Sequence, residues 1–545
     1  SLVVIALAVA PALTGCGGDD EPAGKEQDKV GDGWSVAQDT GPSAPQDAGG
    51  EETEEDADDP PPQDTRPPLP DAEPPPPDTP PVEDTTPDVH DPSYRSFLSA
   101  AKSFLKQSKA SGAAISIVEN GKVTLAKGLG SKQDFQRDPT DAKTLFATRG
   151  FSRTVLSLAV LSAQGDGKLD ISKPVTDYAP YFDANPTKWA KQITTRHLLS
   201  HTSGYPNWIN YQGYSGDVRK PGSLAGIFKE RTGVEMFTKP GTLHNYANDG
   251  YALAALVLQE TAGRPYRKVV ADRVFSAAGM QSATYQPSGN NNRALGIFNH
   301  PDGRQDSFDP GTRPDVPFTD AYHGVFASAA DMGQLLKTLV DEGGSVMGKS
   351  TFQKMLETQV DDRLDNNQGR AGLGVVRRTT IGGTDIYLQT GATNGFSTIM
   401  AFIPSEDFGV SVMMNYGPRT PELNKIFSQA MVRIAGIKVP NPLERFPRSE
   451  WSKLTGTYTD RGIMGEIEVT MNNGDLSVEF LDVGESSKLE HTYSRGFRVR
   501  NLPQKIGSRP DFPYTLPELY GTFLMNKAGD EAQYFRTRWG VAVRK

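Results

Sequence analysis

Four short segments in the middle of the chain contain side chains that can attack, move or steer protons. They are 146–153 (FATRGFSR), 197–204 (HLLSHTSG), 246–248 (YAN) and 389–391 (QTG). A serine or tyrosine hydroxyl becomes a nucleophile or a proton carrier when a basic group lies within hydrogen-bond reach. Ser152 and Tyr246 are candidates of this kind, so the segments point to acyl-transfer chemistry.

In their order and spacing, the four segments resemble the serine β-lactamase and penicillin-binding-protein family. That family includes class C β-lactamases, D-Ala-D-Ala carboxypeptidases and related esterases. The similarity covers about 94–436, with GKLD at 167–170 and GM at 279–280 adding to it. It implies an α/β (α+β) fold of the β-lactamase/transpeptidase type, an antiparallel sheet flanked by helices with an inserted helical subdomain. It also implies a site built from Ser-x-x-Lys, Tyr-x-Asn and Lys/His-Thr-Gly.

The position of the family's nucleophilic serine is occupied by glycine in this chain. Counted back from GKLD without a gap, the family's lysine falls on Arg153 and its serine on Gly150. Glycine has no hydroxyl, and an arginine with a pKa above about 12 cannot accept a proton at neutral pH. In subtilisin, loss of the nucleophile costs on the order of 10⁶ in kcat. We therefore predict a catalytically impaired member of the family, a pseudoenzyme.

The remaining site positions match the family with one exception. Those that match are Tyr246, Asn248, Thr390 and Gly391. Gln389 stands where the family has Lys or His, so a second titratable group is missing. The resemblance assigns the oxyanion hole to the backbone N–H groups of Gly150 and Ala392. Three groups that attack or handle protons are replaced together, which indicates a pocket released from catalysis.

Two alternatives remain open. The chain could be an active esterase, carboxypeptidase or β-lactamase that uses Ser152 or a rearranged site. Ser152 lies two residues beyond Gly150, about 200° around a helix, and would face elsewhere if the helix begins where the family's does. The chain could also be a structural or interaction protein with a plugged pocket, whose C-terminal β-domain binds a partner.

The leading prediction is a pocket that binds a small molecule or a peptidoglycan peptide with a carboxylate. Arg153, near a helix N-terminus, could hold that carboxylate through paired hydrogen bonds. The sequence contains no His-Glu-x-x-His and no Cys/His cluster, so we predict no metal and no cofactor. No nucleic-acid partner is predicted either.

Hydrophobic periodicity assigns elements that would position these segments. The main ones are a helix at 93–109, a hairpin at 113–130 turning at Asn120-Gly121, strands at 374–388, 396–404 and 409–416, and a closing helix at 421–435. They predict a sheet whose strands come from both ends of the domain. From Trp451 onwards, short alternating runs predict a small antiparallel barrel or sandwich.

The N-terminal part has the pattern of a lipoprotein signal followed by a tether. An apolar run at 2–10 precedes LTGC at 13–16, which resembles a bacterial lipobox. Acyl chains on Cys16, the single cysteine, would hold the protein at a membrane. Between 17 and 92 there are 23 acidic and three basic residues, too polar a composition to form a packed core.

These patterns divide the chain into four parts. They are a signal peptide and lipobox at 1–16, a disordered acidic Pro-rich tether at 17–92, a β-lactamase-like domain at 93–440 and a C-terminal β-domain at 450–545. The predicted location is the cell envelope, with a lipid anchor. Gly17 rather than Asp after Cys16 favours the outer membrane, facing the periplasm or the cell surface.

Overall fold

The structure is a computed structural model. It describes residues 91–545 without 134–137, 208–223, 232, 291, 300–304, 313–314, 361–369, 381–382, 394, 418–420, 438–445, 462–463, 494, 501, 503–517 and 538–539. The predicted signal peptide with Cys16, and the predicted tether up to residue 90, lie outside the described residues. Among the described helices, none combines the length and the apolar character needed to cross a bilayer.

The described helices lie between residues 92 and 433. In chain order they are α1 (Pro92–Gln107), α2 (Phe151–Gly165), α3 (Thr187–Ala190), α4 (Thr195–Leu199), α5 (Leu224–Glu230), α6 (Asn248–Ala262), α7 (Tyr266–Val270), α8 (Pro317–His323), α9 (Ala329–Val340), α10 (Lys349–Leu356) and α11 (Pro421–Arg433). Side-chain caps define some of their starts, as where Asp91 accepts from Ser93 N–H at 2.7 Å before α1.

The described strands occur on both sides of this helical section. In chain order they are β1 (Gly112–Glu119), β2 (Lys122–Gly130), β3 (Phe146–Ala147), β4 (Gly296–Asn299), β5 (Gln305–Phe308), β6 (Phe326–Ala327), β7 (Arg370–Ala371), β8 (Val376–Thr379), β9 (Asp385–Thr393), β10 (Phe396–Ile403), β11 (Phe408–Met414), β12 (Gly456–Asp460), β13 (Glu466–Asn472), β14 (Asp475–Phe480), β15 (Glu485–Tyr493), β16 (Gly496–Arg500), β17 (Glu518–Met525), β18 (Ala532–Thr537) and β19 (Val541–Arg544).

One antiparallel sheet organises the first part of the chain. Its order is β2-β1-β11-β10-β9-β8-β7, so the N-terminal hairpin pairs through β1 with β11, a strand that follows about 290 residues later. Helices α2 to α10 are inserted between the two groups of strands. This arrangement confirms the predicted fold class.

Both faces of this sheet are covered by helices. On one face, α1 and α11 pack with the sheet through buried side chains such as Phe97, Val412 and Phe427. On the other face, α2 and α9 contribute buried side chains such as Leu156 and Leu336. Because α2 is apolar around most of its circumference, it lies in the centre of this layer. Its first turn thereby meets the middle of β9.

The C-terminal part forms a closed barrel of strands β12 to β19. Aromatic side chains fill its interior, with the ring centroids of Phe497 and Phe523 5.5 Å apart and those of Phe523 and Phe535 4.6 Å apart. Closure leaves the barrel without unpaired strand edges. Of the two predicted alternatives, barrel and sandwich, the structure therefore has the barrel.

The single strand predicted at 374–388 is wrong. Two strands, β8 and β9, occupy this stretch, and the chain reverses between Thr380 and Thr384. Thr380 N–H donates to the Thr384 carbonyl at 2.8 Å, and Gly383 has φ +87°, a conformation that glycine adopts without strain. As a consequence, β9 begins at Asp385 and carries 389–391 in its middle.

Candidate functional site

Helix α2 begins without a side-chain hydroxyl at its N-cap. Gly150 is the N-cap, with φ −57° and ψ −23° and no side-chain capping bond. The preceding residue, Arg149, has φ +50°, which is uncommon outside glycine. Arg153 donates its backbone N–H to the Gly150 carbonyl at 3.1 Å. The two positions predicted from the Ser-x-x-Lys pattern therefore lie one turn apart on this helix.

The space beside Gly150 is filled by the backbone of β9. A Cβ added to Gly150 would lie 1.9 Å from the Thr390 carbonyl oxygen and 2.8 Å from Arg153 Nη2. A Cβ added to Gly391 would lie 2.3 Å from the Gly150 nitrogen. Since atoms in close-packed interiors do not overlap in this way, both glycines are needed for α2 and β9 to meet. Ala392, the other predicted oxyanion residue, follows in β9 opposite Ser397.

The Arg153 guanidinium occupies the centre of the predicted site. Its side chain is buried, with the residue 2% exposed. Nη1 donates to Tyr246 Oη at 2.8 Å and to Asn248 Oδ1 at 3.4 Å. Nη2 donates to Gln389 Oε1 at 3.0 Å and to the Thr390 carbonyl at 3.2 Å. Four hydrogen bonds thus join the start of α2 to the start of α6 and to β9.

The groups around the guanidinium are also bonded to one another. Tyr246 Oη donates to Asn248 Oδ1 at 2.8 Å, and Gln389 Nε2 donates to the Gly374 carbonyl at 2.9 Å. All four acceptors of the guanidinium are neutral oxygens, so polar dipoles rather than a carboxylate surround the buried charge. A buried charge is tolerated only when such hydrogen bonds satisfy it. We call this set of side chains the Arg153 network.

Two histidines pack on the far side of the tyrosine in this network. The His201 ring lies 4.6 Å from the Tyr246 ring and 5.6 Å from the His244 ring, centroid to centroid. His201 Nδ1 lies 3.1 Å from the Ala247 nitrogen and 3.2 Å from the Ala247 carbonyl oxygen, so each neutral tautomer of the ring has a backbone partner. The two imidazoles form a wall beside the buried cation.

The pKa values of both histidines agree with neutral rings. Burial, together with the nearby His244 and Arg153, lowers the pKa of His201 well below its ordinary value. Burial and the nearby Arg536 cation lower the pKa of His244 to about 3. Neither imidazole carries a charge at neutral pH, and neither is poised to exchange protons there.

A cavity opens beside Arg153, and Gly150 is not among its lining residues. Its empty space, counted together with open solvent at its mouth, is about 700 Å³. Its polar lining includes Arg153, Arg378, Tyr246 and Gln389, while His201, His244, Tyr251, Leu199, Val375, Val376, Leu388 and Ile399 contribute most of its remaining wall. None of the described lining residues is acidic. Burial lowers the pKa of Arg378 to about 10, which leaves it charged at neutral pH.

Ser152 lies outside this site. It is fully buried, and its Oγ accepts the Val325 backbone N–H at 3.1 Å. Its other near neighbour is Thr148 Oγ1 at 3.4 Å. The Ser152 side chain thus points away from the Arg153 network, as its position two residues beyond Gly150 on the helix predicts. Neither of its two hydrogen-bond neighbours belongs to that network.

The structure brings together all the residues that the motif predicted on α2, α6 and β9. The sequence analysis missed three further residues of the site. The Gly374 carbonyl accepts a hydrogen bond from Gln389, and His244 and Arg378 line the cavity. His244 could have been noticed because it precedes the YAN segment by two residues, but nothing in the pattern marks the other two. Within the described residues, no three His, Cys, Asp or Glu side chains come together as a metal site.

We expect Gly150→Ala to destabilise the protein, because the new methyl group overlaps the Thr390 carbonyl. Overpacking of this kind costs about 1–3 kcal/mol. The free energy of unfolding in urea measures the loss. Gly250→Ala is the matched control, since Gly250 is a buried first-turn glycine whose added Cβ would have its nearest neighbours, atoms of Leu198, at an ordinary 3.6 Å. Equal stabilities of the two variants would contradict the closed packing.

We also expect acid to destabilise the protein through His244. The unfolded chain takes up a proton near pH 6.5 that the folded chain excludes down to about pH 3, so stability falls as the pH drops through this window. The fall attributable to one proton is at most about 1.4 kcal/mol per pH unit. Urea unfolding of the wild type and His244→Gln between pH 7 and pH 4 should show the wild type losing its advantage on acidification. A difference that stays constant with pH would refute the buried neutral imidazole.

Comparisons with known proteins agree with this architecture. The β-lactamase family model matches residues 97–430. PbpX of Bacillus subtilis (strain 168), which bears a penicillin-binding-protein name, is 28% identical over 261 residues, 46% of this chain and 60% of PbpX. Protein flp of Staphylococcus aureus (strain N315) is 24% identical over 311 residues, 56% of this chain and 59% of flp. The chain thus spans about three fifths of the length of these curated relatives.

Solved structures share the fold at low sequence identity. The octameric penicillin-binding protein homologue from Pyrococcus abyssi has a TM-score of 0.54 and 18% identity, covering 82% of this chain and 99% of that one. SurE has a TM-score of 0.59 and 19% identity, covering 83% and 99%. Because the family match takes in more than half of the chain, this protein belongs to the β-lactamase family and has a penicillin-binding-protein-like fold.

Proposed function

We propose that this protein is a non-hydrolytic, lipid-anchored envelope member of its family that binds a small carboxylate ligand. The proposed loss of catalysis rests on one observation. The Thr390 carbonyl and the Arg153 guanidinium occupy the space that the side chain of a nucleophile at position 150 would need. The lipid anchor on Cys16 and the envelope location rest on the sequence pattern of the N-terminal part.

Each step of acyl transfer lacks its group in this geometry. Gly150 provides no hydroxyl to attack a carbonyl. The terminal nitrogens of the Arg153 guanidinium already donate to four oxygens, so this side chain is not placed to act as a base. Ser152 is the alternative nucleophile. Its Oγ accepts the Val325 N–H and lies near Thr148 Oγ1, and neither of these groups is a base.

The cavity beside the Arg153 network supports binding of a carboxylate with an apolar body. Its described charged side chains are both guanidiniums, and its walls are largely aliphatic and aromatic. Concave sites with apolar walls and a few polar groups are typical of small-molecule binding. We assign the carboxylate to the Arg378 guanidinium, a charged side chain that lines the cavity. A peptidoglycan peptide that ends in D-alanine has the required chemistry, and names among the relatives refer to penicillin binding.

The loss of acyl transfer predicts that active-site probes do not label the protein. Purified protein is incubated with a fluorophosphonate and with a fluorescent penicillin, beside an active penicillin-binding protein as positive control. We expect no covalent adduct by gel fluorescence and intact mass. Stoichiometric labelling would overturn the proposal, and its loss in Ser152→Ala would identify Ser152 as the nucleophile.

The carboxylate site predicts binding of an acyl-D-Ala-D-Ala peptide by calorimetry, with no turnover. We expect Arg378→Met to weaken binding about 10- to 100-fold, the range for loss of a charged hydrogen bond. Arg377→Met is the matched control, since Arg377 on the same strand pairs with Asp385 at 2.7 Å and does not line the cavity. Equal affinity for the peptide and its methyl ester, or no binding at millimolar peptide, would remove the ligand assignment.

A further inference from the structure

The C-terminal barrel contacts the segment that leads into Tyr246 and Asn248. Arg536 on β18 is 7% exposed, and its Nη1 donates to the His244 carbonyl at 2.6 Å. Earlier in the same segment, the buried side chains of Phe237 and Leu243 belong to the apolar cluster of the barrel. The segment from 237 to 247, which we call the wall segment, therefore has one side in the barrel's core.

A second contact joins the barrel to the helical section. The guanidinium of Arg461, which follows β12, lies 4.9 Å from the centre of the Trp189 ring on α3. Of these two contacts between described residues, the one through Arg536 reaches His244, whose side chain lines the cavity.

The opposite side of the wall segment is bonded to the β-lactamase-like part. Gly241 N–H donates to the Thr202 carbonyl at 2.7 Å, and Asn245 N–H donates to the His201 carbonyl at 2.7 Å. Ala247 N–H donates to His201 Nδ1 at 3.1 Å. The wall segment forms no helix or strand of its own among its described residues. Its backbone position therefore depends on bonds from both sides.

We propose that the barrel is a structural part of the ligand pocket and that Arg536 is the positioning residue through which it acts. By holding the His244 carbonyl, Arg536 fixes the His244 ring in the cavity wall and sets Tyr246 at the distance that Arg153 needs. A guanidinium is suited to this role, because a charged donor in a buried place makes a strong hydrogen bond to a carbonyl. The inference goes beyond the proposed function, since it assigns a role to the barrel whatever the ligand is.

The test is amide hydrogen exchange on the full chain without ligand. We expect Arg536→Met to speed the exchange of Gly241, Asn245 and Ala247 about 10- to 100-fold, as loss of a charged hydrogen bond implies. Exchange of the barrel amides Val469 and Phe523 should stay unchanged. Arg536→Lys, which keeps a cationic donor, should restore much of the protection. Unchanged exchange at the three wall amides in Arg536→Met would overturn the proposal.

Arg544→Met is the control for general damage to the barrel. Arg544 Nη1 donates to the Ala532 carbonyl at 3.2 Å within the barrel, and its guanidinium lies over the Tyr458 ring. We expect this variant to leave the wall amides protected. If it speeds their exchange as much as Arg536→Met does, barrel stability rather than Arg536 holds the segment, and the proposal fails.

A second readout uses the imidazole of His244. Its NMR ring signals should change in Arg536→Met and recover in Arg536→Lys, because the ring loses and regains its fixed place beside the cation. Ring signals identical in all three proteins would also contradict the positioning role.

Affinity for acyl-D-Ala-D-Ala is measured in parallel. If the wild type does not bind the peptide, the proposed function fails while the exchange and ring results still decide the role of the barrel.

Discussion

A single buried guanidinium connects the three elements that form the centre of this protein. Arg153 on α2 donates to oxygens at the start of α6 and in the middle of β9. Moving such a charge out of water is unfavourable unless hydrogen bonds compensate it, so the four oxygens that accept from its terminal nitrogens must stay in place. Gly150 is part of the same arrangement. A side chain at this position would overlap the Thr390 carbonyl, so β9 can approach Arg153 this closely only because residue 150 is glycine. These residues thus form a packed joint between helix and sheet.

The cavity and the barrel extend from this joint in two directions. On one side, the guanidinium forms part of a cavity wall that contains Arg378 and two neutral histidines. On the other side, the wall segment places Tyr246 beside the guanidinium. The His244 carbonyl of this segment accepts a hydrogen bond from Arg536 of the barrel. A displacement of any of these parts alters the hydrogen-bond geometry at the joint. Ligand binding, if it uses this cavity, is therefore physically connected to both halves of the chain.

From the sequence we could predict the fold and which residues meet at the joint. We could not predict how closely the helix and the sheet pack there. The order of the motifs was enough to expect Gly150, Arg153, Tyr246 and Gln389 in one place. It could not show that a carbonyl of β9 fills the vacated space, because that depends on backbone positions set by packing of the whole sheet. The bond from Arg536 to His244 spans 292 residues and has no local pattern. The turn before β9 is marked in the sequence by Gly382-Gly383, a signal that was missed when the whole stretch was assigned to one strand.

The central claim is that Arg153 and its neutral partners stabilise the fold as one unit. A double-mutant cycle between Arg153→Met and Gln389→Leu, followed by urea unfolding, tests it most directly. Residues in one buried hydrogen-bond network show coupling energies of about 0.5–3 kcal/mol, whereas independent sites add within about 0.3–0.5 kcal/mol. We predict coupling in the first range, with the double variant more stable than the sum of the single losses implies. Additive losses would contradict the account, since Arg153 would then be stabilised by something other than this network.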